Sequence, residues 1–99
     1  MSAFVIGMYD IWDEGWREAY RDKTIALARK HGGNILVRPN CKWEVLEGNA
    51  PCRTGVVMFE FPSINDARAR YNDPEYAPLK KLRQSGAKLD LIAVESLPK

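Results

Sequence analysis

Six side chains in this 99-residue sequence have types and positions suited to anion binding or proton transfer. They are Arg38, Glu60, Tyr71, Tyr76, Arg83 and His31. Arg38 ends an apolar segment, where a guanidinium can bind a carboxylate or an enolate through two parallel hydrogen bonds. The alternative for Arg38 is an ordinary salt bridge to Glu60 or Glu44.

Glu60 and His31 are the two candidates for proton transfer. Glu60 interrupts the apolar run at residues 56–61, on the strand face that it shares with Val56 and Met58. A carboxylate there can act as a general acid or base, or it can be a paired residue at the edge of the sheet. His31 is the only imidazole in the chain, and histidine is the residue type most often used for proton transfer at neutral pH. Its position before Gly32 is also explained by helix termination alone.

The remaining candidates surround a break at Pro74. Tyr71 and Tyr76 flank this proline, and their phenols can donate hydrogen bonds to a ligand between helix and sheet. They can equally be core residues with one solvated end. Arg83 offers a second anion contact, or it belongs to a solvated helix end. Together with Arg38, these residues predict a cleft between sheet and helices that binds a small organic anion.

The sequence motifs that are typical of several other chemistries are absent. The chain has no phosphate-binding glycine loop, no dinucleotide fingerprint and no nucleophile elbow. Cys41 and Cys52 form no C-x-x-C pair, and His31 is the only imidazole available to a zinc site. We therefore expect reduced thiols, no metal and no cofactor. Whether the protein is an enzyme or a non-catalytic dimeric interaction module stays open.

Composition indicates a soluble globular protein. Fifteen basic and 13 acidic residues give a formal charge of +2, and 45% of the residues are hydrophobic. We expect a single domain over residues 1–99, because two cores would each be too small. The basic residues are dispersed, which argues against a nucleic acid partner. Without a signal-peptide pattern or a membrane-length apolar run, the prediction is a cytoplasmic protein with no membrane partner.

The first half of the chain alternates between strand and helix patterns. A strand is predicted at residues 3–9 and a helix at residues 16–31. Asp13 is the expected N-cap of this helix, and Gly32 and Gly33 end it. A second strand follows at residues 34–38, and extended structure resumes at residues 43–46 after Pro39 and Asn40. The turn at residues 47–53 then leads to the clearest strand, residues 55–61.

The second half supplies another helix and a final strand. Ser63 and Asp66 resemble a capping box before a helix at residues 67–71. Asp73 and Pro74 start a second helical piece, with Pro74 in its first position. The last strand is predicted at residues 89–97. The order β-α-β-β-α-β predicts an α+β, ferredoxin-like fold: an antiparallel four-stranded sheet with helices on one face.

The strands are apolar on both faces. In residues 55–61, Val57, Phe59 and Phe61 oppose Val56 and Met58, and the first and last strands follow the same pattern. The two right-handed crossovers cover only one face. We therefore expect a homodimer through the open sheet face, since a monomer with a tolerated apolar patch would forgo that burial.

Two segments carry a family resemblance. The first runs from His31-Gly32-Gly33 through Leu36-Val37-Arg38 to Glu44-Val45-Leu46-Glu47-Gly48, and the second from Val56 through Pro62-Ser63 to Tyr71 and Asp73-Pro74-Glu75-Tyr76. Together they resemble the domain of unknown function family 1330, within the dimeric α+β barrel superfamily. The resemblance implies a ferredoxin-like fold and a dimer, and no reaction. Arg70 stands where that family commonly has Trp, and Pro39-Asn40 replaces a glycine pair.

Overall fold

The computed structural model describes residues 1–49 and 54–98, which form one four-stranded antiparallel sheet and three helices. In chain order the elements are β1 (Ala3–Ile11), α1 (Arg17–Lys30), β2 (Asn34–Val37), β3 (Gly55–Phe61), α2 (Ile64–Tyr71), α3 (Tyr76–Gln84) and β4 (Ala87–Glu95). The strand order across the sheet is β2-β3-β1-β4. This is the predicted ferredoxin-like arrangement, with its second helix divided into α2 and α3.

The core lies between the helices and one face of the sheet. Alternate residues of β1 and β3 point into it, as expected for strands covered on that side. The buried cluster combines strand residues with residues of all three helices: Val5, Tyr9, Val57, Phe59, Phe61, Tyr20, Leu27, Ala28, Ala67, Tyr76 and Leu79. The helices therefore shield this face and leave the opposite one open.

The open face is also apolar, as predicted. Ile6 lies at its centre, paired with Met58 of β3 and with Ile92 of β4. Ile6 and Met58 are half-buried by their neighbours on the sheet, whereas Ile92 is 56% exposed. The face continues through these further residues: Phe4, Met8, Val56 and Val94.

A β-bulge in β2 determines which way the end of this strand faces. Ile35 pairs with Phe59, but the next pairing on β3 is between Val37 and Met58. Leu36 is the extra residue, and such an insertion reverses the alternation of the side chains that follow. Arg38 consequently lies on the side of the sheet that the helices cover.

Two predicted helix signals are confirmed. Gly32 has φ +80°, a left-handed conformation that suits glycine, and the Gly33 N–H donates to the Ala28 carbonyl at 2.8 Å. At α2, the Ser63 hydroxyl accepts a hydrogen bond from the Asp66 N–H at 3.1 Å. Helix α2 begins at Ile64, three residues earlier than predicted, because Ser63 is the cap itself.

Two predicted helix starts are wrong. Asp13 does not cap α1, which begins at Arg17; its carboxylate accepts from the Gly15 N–H at 2.8 Å and closes a turn instead. Pro74 precedes α3, which begins at Tyr76. Asp73 forms a similar turn, since its carboxylate accepts from the Glu75 N–H at 2.9 Å.

The extended segment predicted at residues 43–46 is not a strand. Val45 and Leu46 are exposed, and neither pairs with a strand of the described residues. The turn predicted at residues 47–53 lies partly outside the described residues, and Cys52 lies wholly outside them. Cys41 is an exposed free thiol.

The described residues also lack two features. None of their helices combines the length and the apolar character needed to cross a membrane. Nor do they gather three or more His, Cys, Asp or Glu side chains into a group that could hold a metal ion.

Candidate functional site

Three polar side chains meet inside the helix-covered core. Tyr76 and Arg83 are seven residues apart, so two turns of α3 place them on the same face. Tyr20 reaches them from α1. The Arg83 Nη1 donates to the Tyr76 hydroxyl at 2.8 Å and to the Tyr20 hydroxyl at 3.3 Å, and the two hydroxyls are 3.2 Å apart. Sequence analysis predicted Tyr76 and Arg83 as site residues, and the structure brings them into contact.

Arg70 adds a second buried guanidinium. Its Nη2 donates to the Thr24 hydroxyl at 2.6 Å and to the Thr24 carbonyl at 3.1 Å. The guanidinium lies 4.4 Å from the centre of the Tyr76 ring and 4.8 Å from that of Phe59. A flat cation thus occupies the place of the tryptophan that the family resemblance leads one to expect. Tyr20, Tyr76, Arg70 and Arg83 are called the tyrosine–arginine cluster below.

The cluster carries positive charge without a carboxylate to balance it. Arg70 is 3% exposed and Arg83 is 5% exposed. Within residues 1–49 and 54–98, no carboxylate oxygen lies within 4 Å of either guanidinium. Phenol oxygens stabilise Arg83, whereas the hydroxyl and carbonyl of Thr24 and two ring faces stabilise Arg70.

This environment separates the acidities of the three buried phenols. Burial alone would raise the pKa of Tyr20, but the Arg83 charge and hydrogen bonds from Tyr76, Thr24 and Arg83 outweigh it and lower that pKa. Burial, together with the Tyr20 hydroxyl, raises the pKa of Tyr76 to about 12. The same two causes raise the pKa of Tyr9. Tyr20 is therefore the phenol of this cluster that gives up its proton most readily.

A cavity of about 160 Å³ lies between α1 and the β2–β3 side of the sheet. We call it the α1 cavity. Tyr20 and Arg38 both line it, with Trp16, Val57 and Phe59 forming apolar walls. Arg38 makes no ion pair with any described residue, so the salt bridge to Glu60 or Glu44 is not formed there. Arg17 and Arg21 of α1 also line the cavity, but each forms an ion pair with a neighbouring carboxylate. The unpaired Arg38 and an acidified phenol therefore share one small space.

Tyr71 lies on the other side of the cluster. It is 43% exposed, its ring meets that of Tyr76 edge-on at 5.7 Å, and the Lys80 ammonium lies 4.3 Å from its centre. Tyr71 does not line the α1 cavity; it lines a groove under α2 together with Arg70 and Arg83. The predicted anchors Arg38, Tyr71 and Arg83 are thus divided between two spaces.

Glu60 is not in the predicted cleft. It pairs with Phe4 on β1 and with Asn34 on β2, which places it on the open face of the sheet. The strand alternation noted in the sequence was right, since Glu60 does share a face with Met58. The placement of Glu60 in a cleft under the helices was wrong. The residues of β3 that point towards the helices are Val57, Phe59 and Phe61.

His31 also lies outside the α1 cavity. Its Nε2 is 2.8 Å from the Asp73 Oδ2, and the Lys30 ammonium reaches the same oxygen at 3.1 Å. The hydrogen bond with His31, with further bonds from Glu75 and Lys30, lowers the pKa of Asp73 to about 2. These contacts join the end of α1 to the α2–α3 turn.

Sequence reasoning missed two residues of the cluster. In the sequence, Tyr20 falls on the apolar stripe of the helix predicted at residues 16–31, and Arg70 stands out only as a departure from the family pattern. The sequence does contain a signal for Tyr20, because Thr24 follows it by one helical turn on the same face. Two hydroxyl groups on an otherwise apolar face indicate a buried polar contact. No comparable signal marks Arg70 as buried.

The fold and its polar core define a ferredoxin-like α+β protein with a tyrosine–arginine cluster between helices and sheet. A family model described as Domain of unknown function (DUF1330) matches residues 2–97. The chain therefore belongs to this family, as the sequence resemblance predicted. No curated protein matches the sequence.

Solved structures support the same fold. A protein of unknown function from Rhodopseudomonas palustris has 17% identity and a TM-score of 0.77, over 99% of this chain and 84% of that one. SnoaB, a cofactor-independent oxygenase from Streptomyces nogalater, has 7% identity and a TM-score of 0.64, over 99% and 95% of the two chains. A dimeric protein of unknown function and ferredoxin-like fold from Bacteroides fragilis has 13% identity and a TM-score of 0.56, over 96% of each chain. At these identities the likeness establishes the fold alone.

Proposed function

We propose that the protein binds a small aromatic or keto acid in the α1 cavity, and that Tyr20 exchanges a proton with it. One observation carries this proposal. Arg38 lines the cavity without a carboxylate partner among the described residues, and the acidified Tyr20 lines the same cavity. A pocket that combines apolar walls with a cationic side chain that has no carboxylate partner suits a single organic anion.

The shape of the cavity restricts the ligand. Its volume of about 160 Å³ lies below the ~300–1,000 Å³ typical of pockets for drug-sized molecules, which favours one ring with a short acid side chain. The carboxylate would pair with Arg38 through two hydrogen bonds. Trp16 and Phe59 would contact the apolar body of the ligand.

Tyr20 takes the part in proton transfer that was predicted for Glu60. Its ionised oxygen would remove a proton from a ligand carbon next to a carbonyl. The electron pair of the broken C–H bond would remain on the ligand as an enolate, and the charge of Arg38 would stabilise that anion. No cofactor is needed for this step. SnoaB is described as a cofactor-independent oxygenase, which is consistent with cofactor-free chemistry on this fold.

We also propose that two copies pack open face to open face as a homodimer, each forming half of an α+β barrel. The support is the apolar face around Ile6, Met58 and Ile92. Each large apolar side chain that becomes buried contributes about 1.5–3 kcal/mol. The neighbour from Bacteroides fragilis is described as dimeric. Under this proposal Glu60 lies at the rim or within the interface, away from the α1 cavity.

The alternative from sequence analysis is a non-catalytic dimeric interaction module. In such a module we would expect a filled cleft and an Arg38 paired to a carboxylate. The open α1 cavity and the absence of a carboxylate near Arg38 within the described chain favour the binding proposal.

The test combines binding with proton exchange. Benzoate, phenylacetate and phenylpyruvate are titrated into the wild type, and thermal midpoints are measured. A ligand at ten times its Kd adds about 1.4 kcal/mol, which raises the midpoint of a domain of this size by several degrees. We expect Arg38→Gln to lose this shift. Arg29→Gln, on the exposed side of α1, is the matched control and should keep it.

Proton transfer is followed separately, as deuterium uptake at the methylene of phenylpyruvate in D₂O by NMR. We expect the wild type to accelerate the exchange and Tyr20→Phe to reduce that acceleration by about 10²–10⁴-fold while still binding the acid. If no acid binds, or if Arg38→Gln binds as tightly as the wild type, the binding proposal is wrong. If Tyr20→Phe exchanges at the wild-type rate, only the role of Tyr20 is wrong.

A further inference from the structure

A second concave space lies under α2, next to strand β4. Its volume is about 450 Å³, and we call it the α2 groove. Apolar side chains of β4 and of the neighbouring strands line it, among them Leu89, Leu91 and Phe61. Arg70 and Arg83 also line it. None of its lining residues lines the α1 cavity, so the two spaces are separate.

The two arginines have hydrogen-bonding capacity that the protein does not use. Arg83 directs Nη1 to Tyr20 and Tyr76, and Arg70 directs Nη2 to Thr24. The Nε of each guanidinium is buried and has no acceptor among the described residues. A buried N–H that lacks an acceptor costs about 1–3 kcal/mol, and more when the group is charged.

The charges themselves also lack full compensation. Aromatic rings and phenol oxygens face the two guanidiniums, but in the described part of the chain no carboxylate comes within 4 Å of them. Leaving a buried charge without a counter-charge is strongly unfavourable. An anion in the groove would supply the missing counter-charge, and a carboxylate can accept two parallel N–H bonds from an arginine.

We infer that the α2 groove binds the carboxylate of an amphipathic monocarboxylic acid, with its hydrocarbon chain along β4. The carboxylate would lie at Arg70 and Arg83, and the chain would contact Leu89 and Leu91. An inorganic anion would satisfy the charges but leave the apolar lining exposed to water. A neutral alcohol of equal length would do the reverse. The combination of two unpaired cations and an apolar wall selects an acid with a tail.

The experiment observes the arginine side chains directly. Octanoate, below its micelle-forming concentration, is titrated into ¹⁵N-labelled protein, and the Nε–H resonances are followed by NMR. They are assigned with Arg38→Lys, Arg70→Lys and Arg83→Lys. We expect octanoate to shift the Arg70 and Arg83 resonances, and 1-octanol and sulfate to shift them at least tenfold more weakly at equal concentration.

Two variants test the groove itself. Arg83→Met should weaken octanoate binding at least tenfold, and Arg29→Gln should leave it unchanged. Because Arg83→Met can unfold the core, Ala93→Trp serves as a second variant: Ala93 is exposed and lines the groove, so a large ring there blocks it with both arginines intact. We expect Ala93→Trp to abolish the octanoate-induced shifts.

The outcomes separate this inference from the proposed function. Equal effects of octanoate and 1-octanol would overturn it, as would wild-type binding by Ala93→Trp. If octanoate shifts only the Arg38 resonance, the acid binds in the α1 cavity and the groove is not a site. If octanoate shifts Arg70 and Arg83 while phenylpyruvate leaves Arg38 unaffected, the groove is a site and the proposed function fails.

Discussion

Replacing Ile6 with lysine tests the open face of the sheet. Ile6 lies in the middle of β1, beside Met58 and Ile92, and points away from the helices. In a face-to-face homodimer a symmetry axis relates the two copies of every residue, so one substitution changes the interface twice. The fold of each protomer should tolerate Ile6→Lys, because the buried core lies on the opposite face.

The size of the effect follows from burial. Full burial of an isoleucine contributes about 1.5–3 kcal/mol, and Ile6 is already half-buried within the protomer. We therefore take about half of that value for each copy, or about 1.5–3 kcal/mol for the pair. Two ammonium groups that lose water near each other add a further penalty. The dimer Kd should rise by at least about 10–100-fold.

Sedimentation velocity at micromolar concentration measures the result. We expect the wild type at twice the protomer mass of 11.3 kDa and Ile6→Lys at 11.3 kDa. Asp22→Lys, on the exposed surface of α1, is the control and should stay dimeric. Near-ultraviolet circular dichroism verifies that each variant is folded. A wild type that sediments at 11.3 kDa would refute the reasoning from the open face, and a dimeric Ile6→Lys would place the interface elsewhere.

Three further predictions concern the interior and the helix ends. Tyr20→Phe should remove a phenol that ionises below pH 10, and an alkaline absorbance titration at 295 nm should lose one step. An unchanged titration would contradict the lowered pKa of Tyr20. Asp73 has a folded-state pKa of about 2 against an ordinary 3.8, so its contribution to stability is present above about pH 4 and is lost as the pH falls towards 2. Asp73→Asn should lower the thermal midpoint at neutral pH and flatten its decline between about pH 4 and 2, and an unaltered pH profile would speak against this contact. Gly86→Ala should destabilise the fold by about 1–3 kcal/mol in urea denaturation, because a Cβ there would overlap the Trp16 ring and the Asp13 carbonyl oxygen; wild-type stability would show that this contact relaxes freely.

Most of the fold could be predicted from local patterns. Apolar alternation in residues 55–61, the glycines after α1 and the Ser63 cap each act within a few residues of chain, so the sequence alone reveals them. The two apolar faces of the sheet were also readable, because strand side chains alternate with a strict period of two. The segment at residues 43–46 was predicted wrongly, since a strand also needs a neighbour and its sequence does not tell whether one is present.

The candidate site depended on contacts between distant parts of the chain. The sequence by itself determined that Glu60 shares a face with Met58, and it proposed Arg38, Tyr76 and Arg83 as anion contacts in a cleft between helices and sheet. Only the tertiary structure decided that the bulge after Ile35 turns Arg38 into the α1 cavity. A bulge depends on the pairing of two strands, which no single strand encodes.

Tertiary packing likewise decided the chemistry of the cluster. Tyr20 and Arg83 are 63 residues apart, and Arg70 and Thr24 are 46 apart. Local sequence determines which side chains a helix presents on each face. The lowered pKa of Tyr20 and the lack of a carboxylate near the buried guanidiniums depend on which groups the three helices and the sheet bring together. Burial and electric fields act through space, so they follow from the assembled fold and not from spacing along the chain.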